Sequence, residues 1–258
     1  MATCSYDTIV IIYNISTSPP IIQQLLNDHV SSIWCIVFHP MLSLFATTAS
    51  DYIVRLYNVA TVPATIKYCF QHHTSDVFVV SFHPHFPILA SGSLDNSVIL
   101  YDLSISPPTI KHHFNHHING VFCVAFNMKV PLLPTCSADG SILLYDISTL
   151  LLSLSSMSSM SLQVLQPPSP PRIKYHHLKN NTKFVCSVMF YDTQQLLATS
   201  SIYGRVILYD LTTSPPSIQR DIQLDTKKLT SVVFHPTLPL FATGARNGTM
   251  MLYNLDAM

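Results

Sequence analysis

One dipeptide, repeated at a fixed interval, limits what this chain can fold into. A tyrosine followed by Asp or Asn recurs as Tyr13-Asn14, Tyr57-Asn58, Tyr101-Asp102, Tyr145-Asp146, Tyr209-Asp210 and Tyr253-Asn254, at intervals of 44, 44, 44, 64 and 44 residues. A period of that size marks an array of supersecondary units, none of which can bury its apolar faces without a neighbour. The clearest copy is 73–102, HTSDVFVVSFHPHFPILASGSLDNSVILYD. It reads as three short strands at 77–82, 88–92 and 97–102. His83-Pro84 and Pro87 break the first gap, and Leu94-Asp95-Asn96 forms the second turn.

The rest of the chain follows this copy. Residues 2–7 (ATCSYD) align with 46–51 (ATTASD), so the chain opens partway through a unit, with further strands at 8–14 and 21–26. The second unit has strands near 32–38, 44–49, 53–58 and 65–70, the third adds 109–114, and the fourth has 120–126, 132–137 and 141–146. Strands at 173–177, 184–190, 196–200, 205–210 and 217–223 follow, and the sixth unit has 229–234, 240–244 and 249–254. Spacers such as Ser18-Pro19-Pro20, Ser106-Pro107-Pro108 and Ser214-Pro215-Pro216 stand between third and fourth strands, where proline cannot join a ladder. Four-stranded antiparallel sheets repeating at about 44 residues are the pattern of propeller blades. The expected architecture is a single all-β β-propeller over 1–258 with about six four-stranded antiparallel blades, the first and last incomplete. The irregular stretch 148–171 is a Ser/Leu/Pro-rich insertion and reads as a solvated loop. Leu151, Leu154, Met157 and Met160 recur every three residues there, the spacing of a short partner-binding helix, although serine is a poor helix former.

Composition narrows the function classes. Charged residues make up only 10% against 48% hydrophobic, so the chain is no acidic tail or disordered segment. Lys+Arg and Asp+Glu are both 13, so no global charge draws it to nucleic acid or membrane. No uncharged apolar run is long enough to span a bilayer, and MATCSYDTIVIIYN has neither the basic start nor the cleavage site of a secretory leader. The six cysteines form no C-x-x-C pair, and Cys35 and Cys123 share one strand position. They read as buried free thiols of an intracellular protein, cytoplasmic or nuclear.

Three units carry a polar set at fixed spacing. His29 to Asp51, His73 to Asp95 and His117 to Asp139 are each 22 residues apart. Thr47, Ser91 and Thr135 stand four residues before each Asp, and Tyr57, Tyr101 and Tyr145 six after. This resembles the WD-repeat β-propeller family over essentially the whole chain. The resemblance implies that the His, hydroxyl, Asp and aromatic residue of one blade form a hydrogen-bonded tetrad. The chain departs from the family pattern in two ways. The usual Gly-His is Asp28-His29, His72-His73 and His116-His117, and the usual Trp-Asp is Tyr-Asp or Tyr-Asn. The fifth unit has Asn181, Thr199, Tyr203 and Tyr209, and the sixth Asp225, Thr243, Asn247 and Tyr253, so neither can make the His–Asp link.

These sets superficially match a hydrolase triad. Their threefold repetition without a nucleophile elbow or oxyanion loop marks them as structural, and no catalytic residue is expected. His112-His113-Phe114-Asn115-His116-His117 has ligand-rich spacing, but paired histidines also occur at His72-His73 and His176-His177, so no metal site is expected. The chain has six glycines, none in a phosphate-binding arrangement, and no cofactor is expected.

Surface recognition remains. The family resemblance implies that three positions per blade face a partner near the channel: three and five residues after the His, and one before the Asp. These are Ser32, Trp34 and Ser50; Asp76, Phe78 and Leu94; Gly120, Phe122 and Ala138; Lys183, Cys186 and Ile202; Lys228, Thr230 and Arg246. Trp34, Phe78, Phe122 and Leu94 supply apolar anchors, while Lys183, Lys228 and Arg246 suit an acidic or phosphorylated group. The expected function is a non-catalytic scaffold or adaptor that binds other proteins, within a multi-subunit complex. The alternative is a propeller fragment with a structural role that completes or pairs with another chain, since open sheet edges invite pairing.

Overall fold

The computed structural model describes residues 1–127, 129–155, 172–175, 178, 184–191, 195–224 and 228–257. They form six antiparallel sheets in sequence order. Sheet one is β1 (Ala2–Cys4), β2 (Val10–Asn14) and β3 (Ile21–Leu26). Sheet two is β4 (Ile33–Phe38), β5 (Leu44–Ala49), β6 (Val54–Asn58) and β7 (Thr65–Phe70). Sheet three is β8 (Val77–Phe82), β9 (Ile88–Ser93), β10 (Val98–Asp102) and β11 (Thr109–Phe114). Sheet four is β12 (Val121–Val124), β13 (Leu132–Ser137), β14 (Ile142–Asp146) and β15 (Arg172–Tyr175). Sheet five is β16 (Val185–Tyr191), β17 (Leu196–Ser201), β18 (Arg205–Asp210) and β19 (Ser217–Gln223). Sheet six is β20 (Leu229–Phe234), β21 (Leu240–Ala245) and β22 (Met250–Asn254). The fold is all-β, and each sheet is a meander of the propeller-blade type. Contacts divide the chain into two compact units, Met1–His116 and His117–Met258.

Within each unit the sheets bury one another. Leu44, Ala46 and Leu56 of the second sheet share a core with Val77, Val80 and Phe82 of the third. In the other unit Ala198 and Leu208 meet Leu229, Val232 and Phe234. The V-x-x-V-x-F pattern of a first strand is thus the half of a seam that covers the preceding sheet. Three thiols sit on such seams: Cys35 Sγ donates to the Val80 carbonyl at 3.9 Å, Cys123 Sγ to Val188 at 3.5 Å and Cys186 Sγ to Leu229 at 2.9 Å. All six cysteines are free, but only Cys136 is fully buried and Cys69 is exposed, so the expected set of buried thiols is only partly realised.

Two expectations change. The strand expected over 120–126 stops at Val124, because Pro134 stands opposite Ala125 where the other blades have alanine. The Ala125 amide reaches the Pro134 carbonyl at 3.2 Å, but proline has no N–H to return. The insertion opens as α1 (Ser148–Ser155) and not as a loop. Leu150 is buried and Leu152 exposed, so the helix has one covered side and one open side. Met157 and Met160 lie outside the described residues.

Two turn devices repeat. The first follows β4, β8 and β20, where His39, His83 and His235 cap the turn. His83 Nδ1 accepts the His85 and Phe86 amides at 3.1 Å each, and His39 Nδ1 those of Met41 and Leu42 at 3.0 Å. Asn127 does the same with its amide oxygen, taking the Lys129 and Val130 amides at 2.5 and 2.9 Å. A ring nitrogen that accepts two N–H groups must be unprotonated. Burial, with His85 and His39 nearby, holds His83 down at about 4 from the ordinary 6.5. The second device is a left-handed residue in each hairpin between second and third strands: Thr8, Tyr52, Asn96, Gly140, Gly204 and Gly248, with φ from 67° to 84°. Glycine and asparagine adopt this region at little cost, whereas a bulky residue such as Tyr52 is strained by about 1–2 kcal/mol.

Two outcomes follow from these turns. Unfolded His83 titrates near 6.5 and the folded form at about 4. Its contribution, on the order of 3 kcal/mol, is complete above pH 6.5 and drains away as the pH falls toward 4. Urea unfolding across that window will show this loss in the parent chain and a much shallower one in His83→Asn, whose new side chain caps the turn as Asn127 does. Tyr52→Asn will raise stability by about 0.5–1 kcal/mol, seen as a higher melting temperature.

Candidate functional site

The polar sets predicted from the 22-residue spacing are assembled in all three blades. His73 Nδ1 bonds Asp95 Oδ2 at 2.9 Å and its Nε2 bonds Ser91 Oγ at 2.7 Å. His29 reaches Asp51 at 2.9 Å and Thr47 at 2.6 Å, and His117 reaches Asp139 at 3.3 Å and Thr135 at 2.7 Å. Each carboxylate works on both sides. In the third blade Asp95 Oδ2 also accepts the Thr74 amide at 3.0 Å, while Oδ1 accepts the Ser97 amide at 2.9 Å. One acid thereby fixes the loop before the first strand to the hairpin between the second and third. Burial pushes these carboxyls up, but hydrogen bonds outweigh it: from His29 and Arg55 at Asp51, and from histidine, hydroxyl and backbone at Asp95 and Asp139. Asp51 is held at about 2, and Asp95 and Asp139 lie further below the usual carboxylate range.

Sequence reasoning missed three members. Ser97 and Ser141 add hydroxyls to the histidine Nδ1 side, at 3.2 and 3.0 Å. In the second blade the buried Arg55 donates to Asp51 at 2.6 Å, where the third and fourth blades carry Ile99 and Leu143. The signal was available as the one charged residue at a position otherwise aliphatic in the complete blades. In the fifth blade Arg205 replaces that serine and turns outward to pair with Asp221. Thr199, Tyr209 and Thr243 of the last two blades are buried as their counterparts are, while Asn181 and Asp225 lie outside the described residues.

The tyrosine end differs between blades. Tyr57 Oη donates to Asp28 at 3.2 Å. The Tyr101 and Tyr209 hydroxyls are buried without a hydrogen bond of good geometry. Burial drives the Tyr101 phenol well above its ordinary value, with the Ser91 hydroxyl pulling the other way. The rings are used for packing: Tyr57 stacks on Phe45 at 4.5 Å, and Tyr101 lies 4.4 Å from Phe70.

The positions expected to face a partner form two groups, one in each unit. A backbone bond links the residue before each first strand to the residue before each Asp position: Ser50 N to Ser32 O at 2.9 Å, Leu94 N to Asp76 O at 2.8 Å, Ala138 N to Gly120 O at 3.0 Å and Arg246 N to Lys228 O at 2.9 Å. In the fifth blade this bond runs from Ile202 N to Phe184 O at 3.2 Å. Phe184, not Lys183, therefore holds that position; Lys183 lies outside the described residues. Phe184 is also the residue three after Asn181, the position that the spacing rule itself selects.

In the first unit Trp34 stands between Phe78, at 4.7 Å, and Tyr6, at 5.2 Å, both edge-on. Trp34 Nε1 donates to Ser50 Oγ at 2.7 Å, and Ser50 Oγ donates to Asp76 Oδ2 at 2.7 Å. The indole is therefore fixed in place while Tyr6 remains 69% exposed and Leu94 41%. In the second unit Phe122 and Phe184 meet at 4.7 Å, and Lys228 and Arg246 are both exposed. Among the described residues no three His, Cys, Asp or Glu side chains converge as metal ligands. No helix among them is long and apolar enough to cross a membrane.

The unequal tyrosines give a stability test. Tyr101→Phe will leave stability unchanged or slightly raised in urea unfolding, because it removes a buried hydroxyl with no partner, whereas Tyr57→Phe will cost about 1 kcal/mol.

No curated protein matches the chain significantly. The family model described as WD domain, G-beta repeat, matches residues 21–58, 64–102, 108–146 and 220–254. These matches span more than half of the sequence and end on Asn58, Asp102, Asp146 and Asn254, the residues that close the repeats. With three His–Asp tetrads in place, the chain belongs to the WD-repeat family.

Proposed function

We propose that this protein is a non-catalytic scaffold or adaptor that captures a segment of another protein on the loops beside its tetrads. WD-repeat domains generally mediate protein–protein interaction and are generally not enzymes. The observation that carries the reading is the Trp34–Ser50–Asp76 chain with Tyr6 and Phe78 on either side of the indole. Aromatic rings already locked in place lose little entropy on binding and make strong anchors. In the other unit Lys228 and Arg246 are neighbouring exposed cations that by themselves suit an acidic or phosphorylated group. Its place of action is inside the cell, in the cytoplasm or nucleus, as a subunit of a larger assembly.

Trp34→Ala and Phe78→Ala tested by affinity capture from cell extract will each lose the bound partner while circular dichroism and melting stay near those of the parent chain. Lys228→Glu with Arg246→Glu will weaken capture in a salt-dependent way. Undiminished capture by the folded Trp34 and Phe78 variants would overturn the reading.

A further inference from the structure

Sheet four carries two thiols at one register. Cys123 on β12 stands directly opposite Cys136 on β13. In sheets two, three, five and six the same register holds Cys35–Thr48, Val79–Gly92, Ser187–Ser200 and Ser231–Gly244. Side chains there point into one space: in sheet six a Cβ placed on Gly244 would lie 2.8 Å from Ser231 Oγ. Directly opposed residues of an antiparallel pair have Cα atoms about 4.5–5.5 Å apart, inside the roughly 4.4–6.8 Å that a disulfide spans. Both thiols are free.

The two sulfurs have different surroundings. Cys123 Sγ accepts a hydrogen bond from the Cys136 thiol and another from the Val188 amide at 3.4 Å. These bonds, the Cys136 one above all, hold the Cys123 thiol below its ordinary value against burial. Burial and the bond to Cys123 push Cys136 well up. Cys123 is therefore the member that forms the thiolate, the nucleophile of sulfur chemistry. It is half-buried as a residue, but its sulfur lies in the seam against Val188, so the oxidant that reaches it must be small. Cys136 is fully buried. The neighbouring thiol Cys186 donates to the Ser200 and Leu229 carbonyls at 3.3 and 2.9 Å, toward the next seam. The cysteine pair also spans a weak place. β12 is four residues long, where β4, β8 and β20 have six and β16 has seven. Pro134 returns no N–H to Ala125 there.

We propose that Cys123 and Cys136 are a reversible redox pair, which a small hydroperoxide converts to a disulfide that staples β12 to β13. The Cys123 thiolate attacks one oxygen of hydrogen peroxide. The O–O bond breaks, hydroxide leaves and is protonated to water, and Cys123 becomes a sulfenic acid. The Cys136 sulfur then attacks the Cys123 sulfur. The S–O bond breaks, and the Cys136 proton leaves with the hydroxide as a second water. The thiols together lose two electrons and the peroxide gains two. A dithiol reductant reverses the change by exchange. Phe122, next to Cys123, packs on Phe184 at 4.7 Å, so the staple acts beside a residue expected to face a partner. The site lies in a different unit from Trp34 and does not depend on the function proposed above.

Peptide mapping of the full chain tests it. The reduced, folded protein is exposed to rising hydrogen peroxide until the exposed Cys69 is modified, then treated with catalase, unfolded in iodoacetamide and digested with trypsin without reductant. Cleavage after Lys129 separates the two cysteines unless a disulfide joins them. Mass spectrometry is expected to find the joined peptides, about 2 Da lighter than the two free ones, and to lose them after dithiothreitol. In Cys136→Ala, dimedone will trap Cys123 as the sulfenic acid. In Cys123→Ala, Cys136 will stay unmodified. Hydrogen exchange of the β12 amides will slow by roughly tenfold in the oxidised parent chain. The proposal is overturned if Cys123 and Cys136 remain reduced when Cys69 is modified, if Cys123 joins Cys186 instead, or if the link forms only in urea. Unchanged exchange at β12 in the linked chain would overturn the staple. The parent-chain map decides even where a variant folds poorly.

Discussion

Each complete blade depends on one carboxylate placed where two loops meet. An antiparallel sheet holds its strands by backbone bonds, here from the Val77–Ser93 pair to the Leu94–Asp76 bond, and His73 and Thr74 lie beyond that ladder. Asp95 ties them in by accepting the His73 imidazole and the Thr74 amide on one oxygen and the Ser97 amide on the other. Histidine then carries the link inward to Ser91 on the central strand. A buried imidazole and a buried hydroxyl would each be costly alone; joined in one chain, they satisfy each other and select one register. Asp139 repeats the arrangement, and Asp51 does so with Arg55 in place of a serine.

That arrangement also explains why these sets are unsuited to catalysis. A nucleophilic serine or threonine needs room for a substrate and a base free to take its proton. Ser91, Thr47 and Thr135 have no exposed surface, and the histidines are 3–6% exposed. Each histidine has one nitrogen on the carboxylate and the other on the hydroxyl, so the hydrogen-bonding capacity of the ring is spent inside the sheet. The chemistry left at the surface belongs to the loops that the staples position. There Trp34 donates its indole proton to Ser50 and leaves its ring faces to neighbours and partners.

The sequence made the repeat legible because period, proline and the His–Asp interval are one-dimensional signals. The six tyrosines mark the six sheets, and the spacing of 22 identifies every tetrad pair that forms. What it obscured depends on local geometry. His83-Pro84 read as a strand stop, yet His83 also caps the turn, and only the bond directions show that its Nδ1 accepts two amides. Phe184 holds the position expected of Lys183, and the Ile202 amide bonded to its carbonyl fixes that register. Arg55 sits in a strand whose other members are apolar, and only its reach to Asp51 shows that its charge is paired inside the blade. The exposure of Met250 and Leu252 depends on what lies beside them in space, which no repeat pattern reports.

As a recognition surface, the Trp34 cluster would work by preorganisation. At the Trp34 cluster the costs are met in advance: the indole is oriented by Ser50 and Asp76, and a partner gains from burying rings that already have their positions. Affinity there rests on side-chain fit, and single truncations should be decisive.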